Sequence, residues 1–459
     1  MGQTKLPVHS YAHVSKPVGV ERLVNCFAEA APPEGKAPAA LMRAPGIVTG
    51  VNVGTGVGRG LVRFGGQLYA VSGTGFYSIS SGHVATLIGT VAGSDVVSFA
   101  ANQNELVICD KSAVAYTYDG TTLAQITDVD WDNGVQCCDL DNYILFRKGD
   151  SGQFFSSDLA DAASYDALYF ATAEGAADKL VGIITDHRQV VLAGEHSIEL
   201  WYNAGGGDFP FQRDVNGFIE IGCAAGATLA KADNSIYWLA SDLTVRRLEG
   251  LTPVRVSQHG VEQAIATYDV TDAYAFGYSH GGHIFYVLTF PDQATWVYDA
   301  TTREWHERQS YGLSRWRPCA AAYCYGRNYV QDYETGKVGY LDTSTYTDWD
   351  DTQRLEATFP QVYNGGGRVF HQSFEIMAET GVGTVTGAGS DPQITLEMSD
   401  DSGRTWRTAA TKSLGLLGEY RSRVRWERLG SSRDRVYRVS ISDPVKVVLA
   451  DATLVANGT

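Results

Sequence analysis

Short apolar runs, each followed by a tight polar turn and a second apolar run, recur through most of this chain. Seven such units begin at Gly65, Glu105, Asp141, Arg188, Asn234, Gly282 and Arg327. Successive starts lie 36 to 48 residues apart, and the units contain β signals only. A strand-only repeat of this length is typical of a β-propeller blade. Because one blade cannot bury both of its faces, we expect the units to pack around a common axis.

The repeats divide the chain into three parts of an all-β protein. They predict a β-propeller of six or seven blades over residues 46–350. Residues 1–45 are rich in Ala and Pro and lack alternation, which predicts an extended N-terminal arm or clamp. Alternating strands after the glycines at 365–367 predict a C-terminal β-sandwich over residues 351–459. The long connection that starts at Asp158 is predicted to be a loop, either functional or packed on a neighbour.

Charge and cysteine content narrow the classes of function. The 459 residues carry a formal net charge of −16, which argues against a dedicated DNA grip and suits a surface that lets nucleic acid pass. The seven cysteines show no paired spacing, which indicates reduced thiols and a cytosolic site of synthesis. No apolar run approaches the roughly 20 residues that span a bilayer.

One motif has a defined turn chemistry. Ser399, Asp401, Gly403, Thr405 and Trp406 fit the pattern S-x-D-x-G-x-T-W, which resembles the Asp-box of sialidases and related propellers. In such a turn, Asp and Ser accept backbone donors across a hairpin and Gly takes a positive φ. The motif occurs once, in the predicted sandwich, whereas a sialidase would carry several. We therefore predict a structural turn and no substrate contact.

Other motifs give no support to catalysis or to a cofactor. The glycine-rich stretch 54–60 lacks the GK[ST] of a phosphate loop and leads into a strand. His280 and His283 are interpreted as parts of a hairpin turn, since no Cys or carboxylate cluster accompanies them. The alternating carboxylates at Asp128, Asp130 and Asp132 lack the remaining ligands of a calcium loop. We predict a non-enzyme with no cofactor and no metal.

A basic stripe is the sharpest local charge asymmetry in the chain. Arg421, Arg423 and Arg425 are two residues apart, so on a strand they would share one face, with Val424 and Trp426 on the other. The run continues with Arg428, Arg433, Arg435 and Arg438. Two interpretations remain open. The stripe is a solvated face with intramolecular ion pairs, each worth under about 1 kcal/mol, or it docks on acidic surface of a neighbouring subunit or adaptor.

Several stretches resemble one protein family. Leu23–Glu29, followed by Ala44–Ile47, resembles the opening of the tail hub, or nozzle, proteins of short-tailed bacteriophages, also called packaged-DNA-stabilisation proteins. The other stretches resemble later blades and the closing domain of that family. They are Ile183–Asp186 with Ser197–Tyr202, Val297–Asp299 with Glu304–Trp305, and Ser399–Pro444 with its Leu414–Gly415, Tyr420, Trp426–Gly430 and Asp443–Pro444.

The resemblance implies a structural protein of the virion tail, assembled in the bacterial host cytoplasm. Several copies, six in that family, would form a ring below the portal and its head-to-tail adaptor. The ring would continue the DNA channel, retain packaged DNA and carry the tail needle, tailspikes or fibres. Phage DNA would pass transiently, without stable membrane insertion. The isolated protein could still be a monomer, if the ring forms only on the portal-adaptor platform.

Two alternatives come from other classes. A sialidase-like or polysaccharide-degrading propeller would need Arg, Glu and Tyr clustered at one propeller face, which a linear sequence does not reveal. A monomeric binding propeller would need no assembly surface. An acidic β scaffold without catalytic motifs and with a candidate interface at Arg421, Arg423 and Arg425 favours the ring subunit.

Overall fold

The computed structural model describes residues 5–32, 34, 37–206 and 209–458. Nearly all regular structure in these residues is β-strand. One α-helix, α1 (His259–Ile265), and one 3₁₀ turn (Gly226–Thr228) are the helical elements among them. Neither has the length and apolar character that a membrane crossing requires.

Five strands precede the first complete blade. They are β1 (Tyr11–Ala12), β2 (Val20–Val24), β3 (Cys26–Ala30), β4 (Ala39–Arg43) and β5 (Gly46–Asn52).

Seven antiparallel four-stranded blades follow in the described residues, which settles the predicted six or seven at seven. The first blade contains β6 (Gly58–Phe64), β7 (Gln67–Ser72), β8 (Gly75–Ile79) and β9 (Ala85–Thr90), and the second contains β10 (Ser98–Ala101), β11 (Leu106–Cys109), β12 (Ala115–Tyr118) and β13 (Leu123–Gln125). The third contains β14 (Gly134–Leu140), β15 (Tyr143–Lys148), β16 (Gln153–Asp158) and β17 (Asp161–Thr172). The fourth contains β18 (Leu180–Asp186), β19 (Gln189–Gly194), β20 (Ile198–Asn203) and β21 (Phe211–Ile219). The last three contain β22 (Ala230–Ala232), β23 (Ser235–Leu239), β24 (Val245–Glu249) and β25 (Thr252–Arg255); β26 (Tyr274–His280), β27 (His283–Phe290), β28 (Ala294–Asp299) and β29 (Glu304–Glu307); β30 (Pro318–Cys324), β31 (Arg327–Asp332) and β32 (Lys337–Asp342), completed by β5.

The units recognised in the sequence are the second and third strands of the blades. The unit that starts at Gly65, for example, is the hairpin β7–β8, and the unit that starts at Arg327 is β31–β32. These central strands pack between neighbouring blades on both faces, so β11 and β23 are buried along their whole length. Continuous burial demands continuous apolar sequence, which is why this part of each blade was visible in the pattern.

Tight turns join the first and second strands of six blades. Both central residues of each turn have positive φ, as a type I′ hairpin turn requires. These pairs are Gly65–Gly66, Asp141–Asn142, His187–Arg188, Asp233–Asn234, Gly281–Gly282 and Tyr325–Gly326. In the second blade the turn is longer, and Asn102 Oδ1 accepts the amides of Asn104 and Glu105 at 2.8 and 2.7 Å.

The ring is closed by a strand from the N-terminal side of the repeats. β5 pairs antiparallel with β32, from Gly46 opposite Asp342 to Asn52 opposite Lys337. The seventh blade therefore contains strands from both ends of the propeller sequence. Opening the ring would break this ladder, so the closing strand holds the first and last blades together.

Eleven further strands follow the propeller. They are β33 (Thr347–Asp348), β34 (Asp351–Thr352), β35 (Leu355–Thr358), β36 (Val362–Tyr363), β37 (Val369–Ala378), β38 (Gln393–Ser399), β39 (Arg407–Ser413), β40 (Val424–Glu427), β41 (Ser431–Ser432), β42 (Asp434–Ile441) and β43 (Val448–Gly458). Most of them form a sandwich of two sheets, with strand orders β2-β35-β42-β38-β39 and β3-β4-β43-β37-β40. Its buried core includes Phe374, Trp426 and Tyr437.

The extended arm predicted for residues 1–45 needs correction. Its described strands are built into the rest of the molecule: β2 pairs with β35, and the hairpin β3–β4 pairs with β43. Leu23, Cys26 and Leu41 are buried in the sandwich core. The pattern missed these strands because each is only five residues long, and because the partners of β2 and β4 in the sandwich, β35 and β43, lie more than 300 residues away.

The same strand fuses the sandwich to the propeller. β2 also pairs parallel with β29, at Val24 opposite Glu307, so one sheet runs from the sixth blade to β39. Arg22 donates to both carboxylate oxygens of Glu307 at 2.8 and 2.7 Å and lies 3.5 Å from Glu356. Backbone pairing and ion pairs therefore connect the two domains directly.

Candidate functional site

The Asp-box residues form a closed hydrogen-bonded turn between β38 and β39. Ser399 Oγ donates to Asp401 Oδ1 at 2.6 Å and accepts the Gly403 amide at 2.8 Å. The Asp401 carboxylate accepts the Thr405 amide at 2.8 Å and the Thr405 hydroxyl at 2.6 Å. The bonds from Ser399 and Thr405 hold the pKa of the Asp401 carboxyl well below its usual range. Gly403 has φ +81°, and Trp406 is partly buried beside it.

The basic stripe is less regular than its spacing predicted. β40 begins at Val424, so Arg421 lies in the preceding turn and Arg423 just before the strand. Val424 and Trp426 are buried, and Arg425 stands between them on the outer face. The expectation that all three arginines share one face of a strand is therefore wrong. The cause is the loop that contains Gly415 and Gly418, which extends to Arg423, so β40 begins only at Val424.

The three arginines differ in their partners. Arg423 donates to both oxygens of Glu375 at 2.9 and 2.8 Å, and Arg425 lies 3.1 Å from Glu427. Arg421 is exposed and has no ion pair or hydrogen bond to any described residue. Intramolecular pairing thus accounts for two of the three guanidinium groups and leaves the third free.

The later arginines belong to the other sheet. Arg435 is fully buried, where it donates to Asp400 at 2.6 and 3.0 Å and to the Leu429 carbonyl at 2.6 Å. Arg438 donates to Glu397 at 2.9 Å and covers the Trp406 ring. These two side chains stabilise the sandwich, so the seven arginines are not one continuous surface.

The side of the sandwich away from the propeller is basic and partly apolar. β39 and β40 are the outermost strands of the two sheets there, and the loop Leu414–Arg423 joins them. We call these two strands and their loop the distal edge. Leu416, Leu417 and Tyr420 in the loop are 49%, 52% and 71% exposed. Residues 407–427, which make up the two strands and their loop, contain five Lys and Arg against two Asp and Glu.

Sequence reasoning singled out the arginines of the distal edge but missed its apolar residues. The signal was present, because Leu416, Leu417 and Tyr420 lie in a stretch interrupted by Gly415 and Gly418, both of which have positive φ. Apolar residues in a glycine-rich turn cannot be buried by strand alternation, so such a stretch indicates an exposed tip.

The His280–His283 turn contains a cluster in which one imidazole bonds two carboxylates. His283 Nδ1 lies 2.6 Å from Asp299 Oδ2 and its Nε2 lies 2.7 Å from Glu29 Oε2. The hydrogen bond with Asp299, followed by that with Glu29, raises the pKa of His283 to about 9. Burial lowers the pKa of His280. Both nitrogens of His283 are thus occupied, and the cluster ties the sixth blade to β3.

The acidic groups considered for metal binding are engaged in local contacts. Asp128 accepts the Asp130 amide at 2.8 Å, whereas Asp132 pairs with Lys148 at 2.8 Å. Among the described residues one other group, Asp178 with Glu195 and His196, brings its ligand atoms within 4.8 Å of one another. Asp178 already accepts the amides of His196 and Ser197 at 2.7 and 2.8 Å, as in a turn.

Two of the cavities on the propeller have volumes typical of ligand sites. One, of about 410 Å³, lies between the fourth and fifth blades, where Arg247 pairs with Asp233 and His187 contacts Asp186 and Asn234. The other, of about 520 Å³, lies against the inner strands of the last three blades. Its described lining includes Lys231, Asp233, Tyr278, Tyr323 and Asn328 and contains neither Arg nor Glu. Neither cavity groups the Arg, Glu and Tyr that a sialidase-like site needs.

All seven cysteines are buried and unpaired. Burial raises the pKa of the Cys223 thiol to about 11 and that of the Cys319 thiol to about 12. Native thiols of this kind react slowly, because the thiolate is the nucleophile.

Comparison with known families accounts for both domains. A family model of the bacteriophage P22 Gp10 β-propeller matches residues 20–346, and a model of the P22 Gp10 β-sandwich matches residues 355–457. The chain belongs to the bacteriophage P22 Gp10 family. The predicted resemblance to packaged-DNA-stabilisation proteins and the propeller-sandwich fold are confirmed. The protein is accordingly a structural phage protein.

Solved structures resemble this chain at low identity and low TM-score. BamB from Moraxella catarrhalis is 12% identical, with a TM-score of 0.42 over 71% of this chain and 98% of that one. The extracellular domain of BT4673 from B. thetaiotaomicron is 9% identical, with a TM-score of 0.44 over 88% of this chain and 59% of that one. A search of curated proteins gives no match.

Proposed function

We propose that this protein is a subunit of the tail hub, or nozzle, of a short-tailed phage. Six copies form a ring that continues the DNA channel below the portal and adaptor, retains packaged DNA and mounts the needle, tailspikes or fibres. The observation that carries the proposal is the match of the P22 Gp10 models to residues 20–346 and 355–457.

The junction between the domains is suited to a subunit that is under mechanical force. A subunit that holds DNA in a filled capsid must resist force without separating its domains. The sheet that runs from the sixth blade through β2 into the sandwich supplies such a connection. Arg43 adds to it, donating 3.0 Å to the Val445 carbonyl and 3.2 Å to Gln353 Oε1 from a buried position.

The charge of the chain supports passage of DNA. With a net charge of −16, a ring of several copies would repel the phosphate backbone at most of its surface. A repelled duplex slides through a channel without being held at fixed sites, since stable DNA binding depends on displacing counterions with Lys and Arg.

The distal edge is the proposed contact with a neighbouring subunit or adaptor. It presents Arg421, Arg423 and Arg425 beside the exposed Tyr420. Tyr and Arg are enriched among the few interface residues that contribute most of the binding free energy. Arg421 has no competing partner among the described residues, so it is available to pair with a carboxylate of another chain.

Imaging of virions tests the proposal. Particles of the phage that encodes this chain should show a sixfold ring of this fold below the adaptor. Particles that lack the protein should lose their packaged DNA after packaging ends. Absence of the chain from the tail would reject the proposal.

We also expect no catalytic turnover. The purified protein should leave sialosides and host surface polysaccharides intact over long incubations. Hydrolysis that a point substitution in the propeller abolishes would favour the enzyme alternative instead.

A further inference from the structure

The outer strand of the third blade is unusually long. β17 has 12 residues, whereas the other described outer strands have three to nine. The outer edges of β29 and β5 are covered by β2 and β33, whereas β17, like β9, β13, β21 and β25, pairs only with the neighbouring strand of its own blade. The segment predicted as a loop from Asp158 is therefore in part an irregular edge strand, whose register with β16 shifts between Phe170 and Tyr165 and again between Tyr165 and Asp161. Such an edge offers unpaired backbone groups to another chain.

β17 combines apolar and acidic exposure. Leu168 and Phe170 are 66% and 44% exposed, and Leu159 in the preceding turn is 59% exposed. Asp161 and Asp166 are exposed, and neither forms an ion pair with a described residue. Residues 134–220, which contain the third and fourth blades, carry 14 Asp and Glu against five Lys and Arg.

This composition is the complement of the distal edge. The distal edge presents leucines, a tyrosine and arginines, whereas β17 presents a leucine, a phenylalanine and aspartates. Opposite charges around apolar centres are the arrangement that protein interfaces use to select a partner.

The two surfaces lie at opposite ends of the molecule. The sandwich is attached to the sixth blade through β29–β2 and to the seventh through β5–β33. In a ring of seven blades the third is three steps from both, so it is the blade farthest from the sandwich. The distal edge lies five strands beyond β29, about 24 Å farther out at the usual strand spacing.

We propose that the distal edge of one copy docks on β17 of the next copy. This deepens the proposed function, on which it rests, by naming the two surfaces of the subunit contact. Two different surfaces at opposite ends make a heterologous, head-to-tail contact, which closes into a ring when the rotation per subunit allows. Arg421 pairs with the aspartates of β17 while Tyr420 and Leu416 cover Leu168 and Phe170.

Cross-linking in assembled particles tests the contact. The double variant Leu168→Cys/Tyr420→Cys should give a ladder of covalent oligomers with a short bis-maleimide. An equal mixture of the two single variants should give dimers only, because each copy then has one reactive end. The native cysteines are buried and contribute little background.

A charge exchange provides an independent test. Arg421→Glu should reduce the number of copies per particle about tenfold or more, as loss of an interfacial arginine does. The second change Asp166→Arg in the same chain should restore incorporation. Arg433→Glu is the matched control: Arg433 is also exposed and without an ion pair to a described residue, but it follows β41 at the other end of the sandwich strands.

The outcomes separate the two proposals. A sixfold ring on the virion without a cross-linked ladder, and with normal incorporation of Arg421→Glu, would overturn the contact and leave the hub function standing. A chain absent from the tail would overturn the hub function itself. Equal loss with Arg421→Glu and Arg433→Glu, without rescue by Asp166→Arg, would also count against the contact.

Discussion

The third and sixth blades of this protein share one design but differ at the outer edge. In the sixth blade, β29 has four residues and pairs with β2, which continues the sheet into the sandwich. In the third, β17 has 12 residues and its outer edge meets no described strand. An outer strand is therefore a connection point. The chain uses one such edge to join its own domains, and the opposite edge is the one proposed above to receive the next copy.

The comparison also shows why exposure of apolar groups differs between the two edges. Leu23 of β2, which covers the sixth blade, is 1% exposed, whereas Leu168 of β17 is 66% exposed. Burial of Leu23 contributes to the stability of the folded chain. Leu168 is exposed in the folded chain, so only contact with another molecule can bury it.

Alanine substitution at these two leucines should give the largest difference. Leu23→Ala should lower the free energy of unfolding by about 3 kcal/mol, because it opens a cavity in the sandwich core. Leu168→Ala should change it by less than about 0.5 kcal/mol. Denaturant titration of the two purified variants measures both. Equal losses of unfolding free energy for Leu23→Ala and Leu168→Ala would show that Leu168 is packed within the folded chain and that β17 is not a free edge.

The His283 cluster, which joins the sixth blade to β3, should make the stability of the protein sensitive to high pH. Asp299 and Glu29 raise the pKa of His283 to about 9, above the value of about 6.5 for a free histidine. The stabilisation is thus complete below pH 6.5 and is lost as the pH rises through about 9. We expect a loss of about 2 kcal/mol, discounted because Glu29 is half exposed.

His283→Gln should remove most of this pH dependence. Melting temperatures measured from pH 6 to pH 10 would show a flatter profile for the variant than for the natural chain. His196→Gln is the control, since His196 is 81% exposed. A profile that His283→Gln leaves unchanged would contradict the assignment.

The Arg22 ion pairs should give the smallest effect. Arg22→Ala leaves the buried Glu307 without its bidentate partner, and we expect a loss of about 1 kcal/mol after screening of the partly exposed guanidinium. Arg188→Ala removes a pair with Asp141 in which Arg188 is 81% exposed, and it should have almost no effect. Unfolding titrations at low and high salt measure both, and equal losses would argue against a special role for the junction.

Much of the fold could be predicted because blade centres and sandwich strands are locally encoded. The strand β11 is apolar at every position, and the Gly281–Gly282 pair adopts the positive φ values that its hairpin needs. The Asp-box residues likewise sit within one hairpin, so their hydrogen bonds depend on near neighbours only.

The candidate site was harder to predict. The arginine spacing suggested one strand face, but β40 starts late and the run divides between exposed Arg421 and buried Arg435. The free edge of β17 had no signature, because a bare edge differs from a covered one only in what lies beside it.

The repeat, the turns and the propeller-sandwich class could be predicted from the sequence alone, because each rests on contacts between residues close in the chain. The tertiary structure was needed to show that β2 and the β3–β4 hairpin belong to the sandwich and that β5 closes the ring, since β2, β4 and β5 pair with residues 285 to 408 positions away. It also decided which blade edges are covered. Strand pairing over such distances depends on how the whole chain closes, and no local pattern records it.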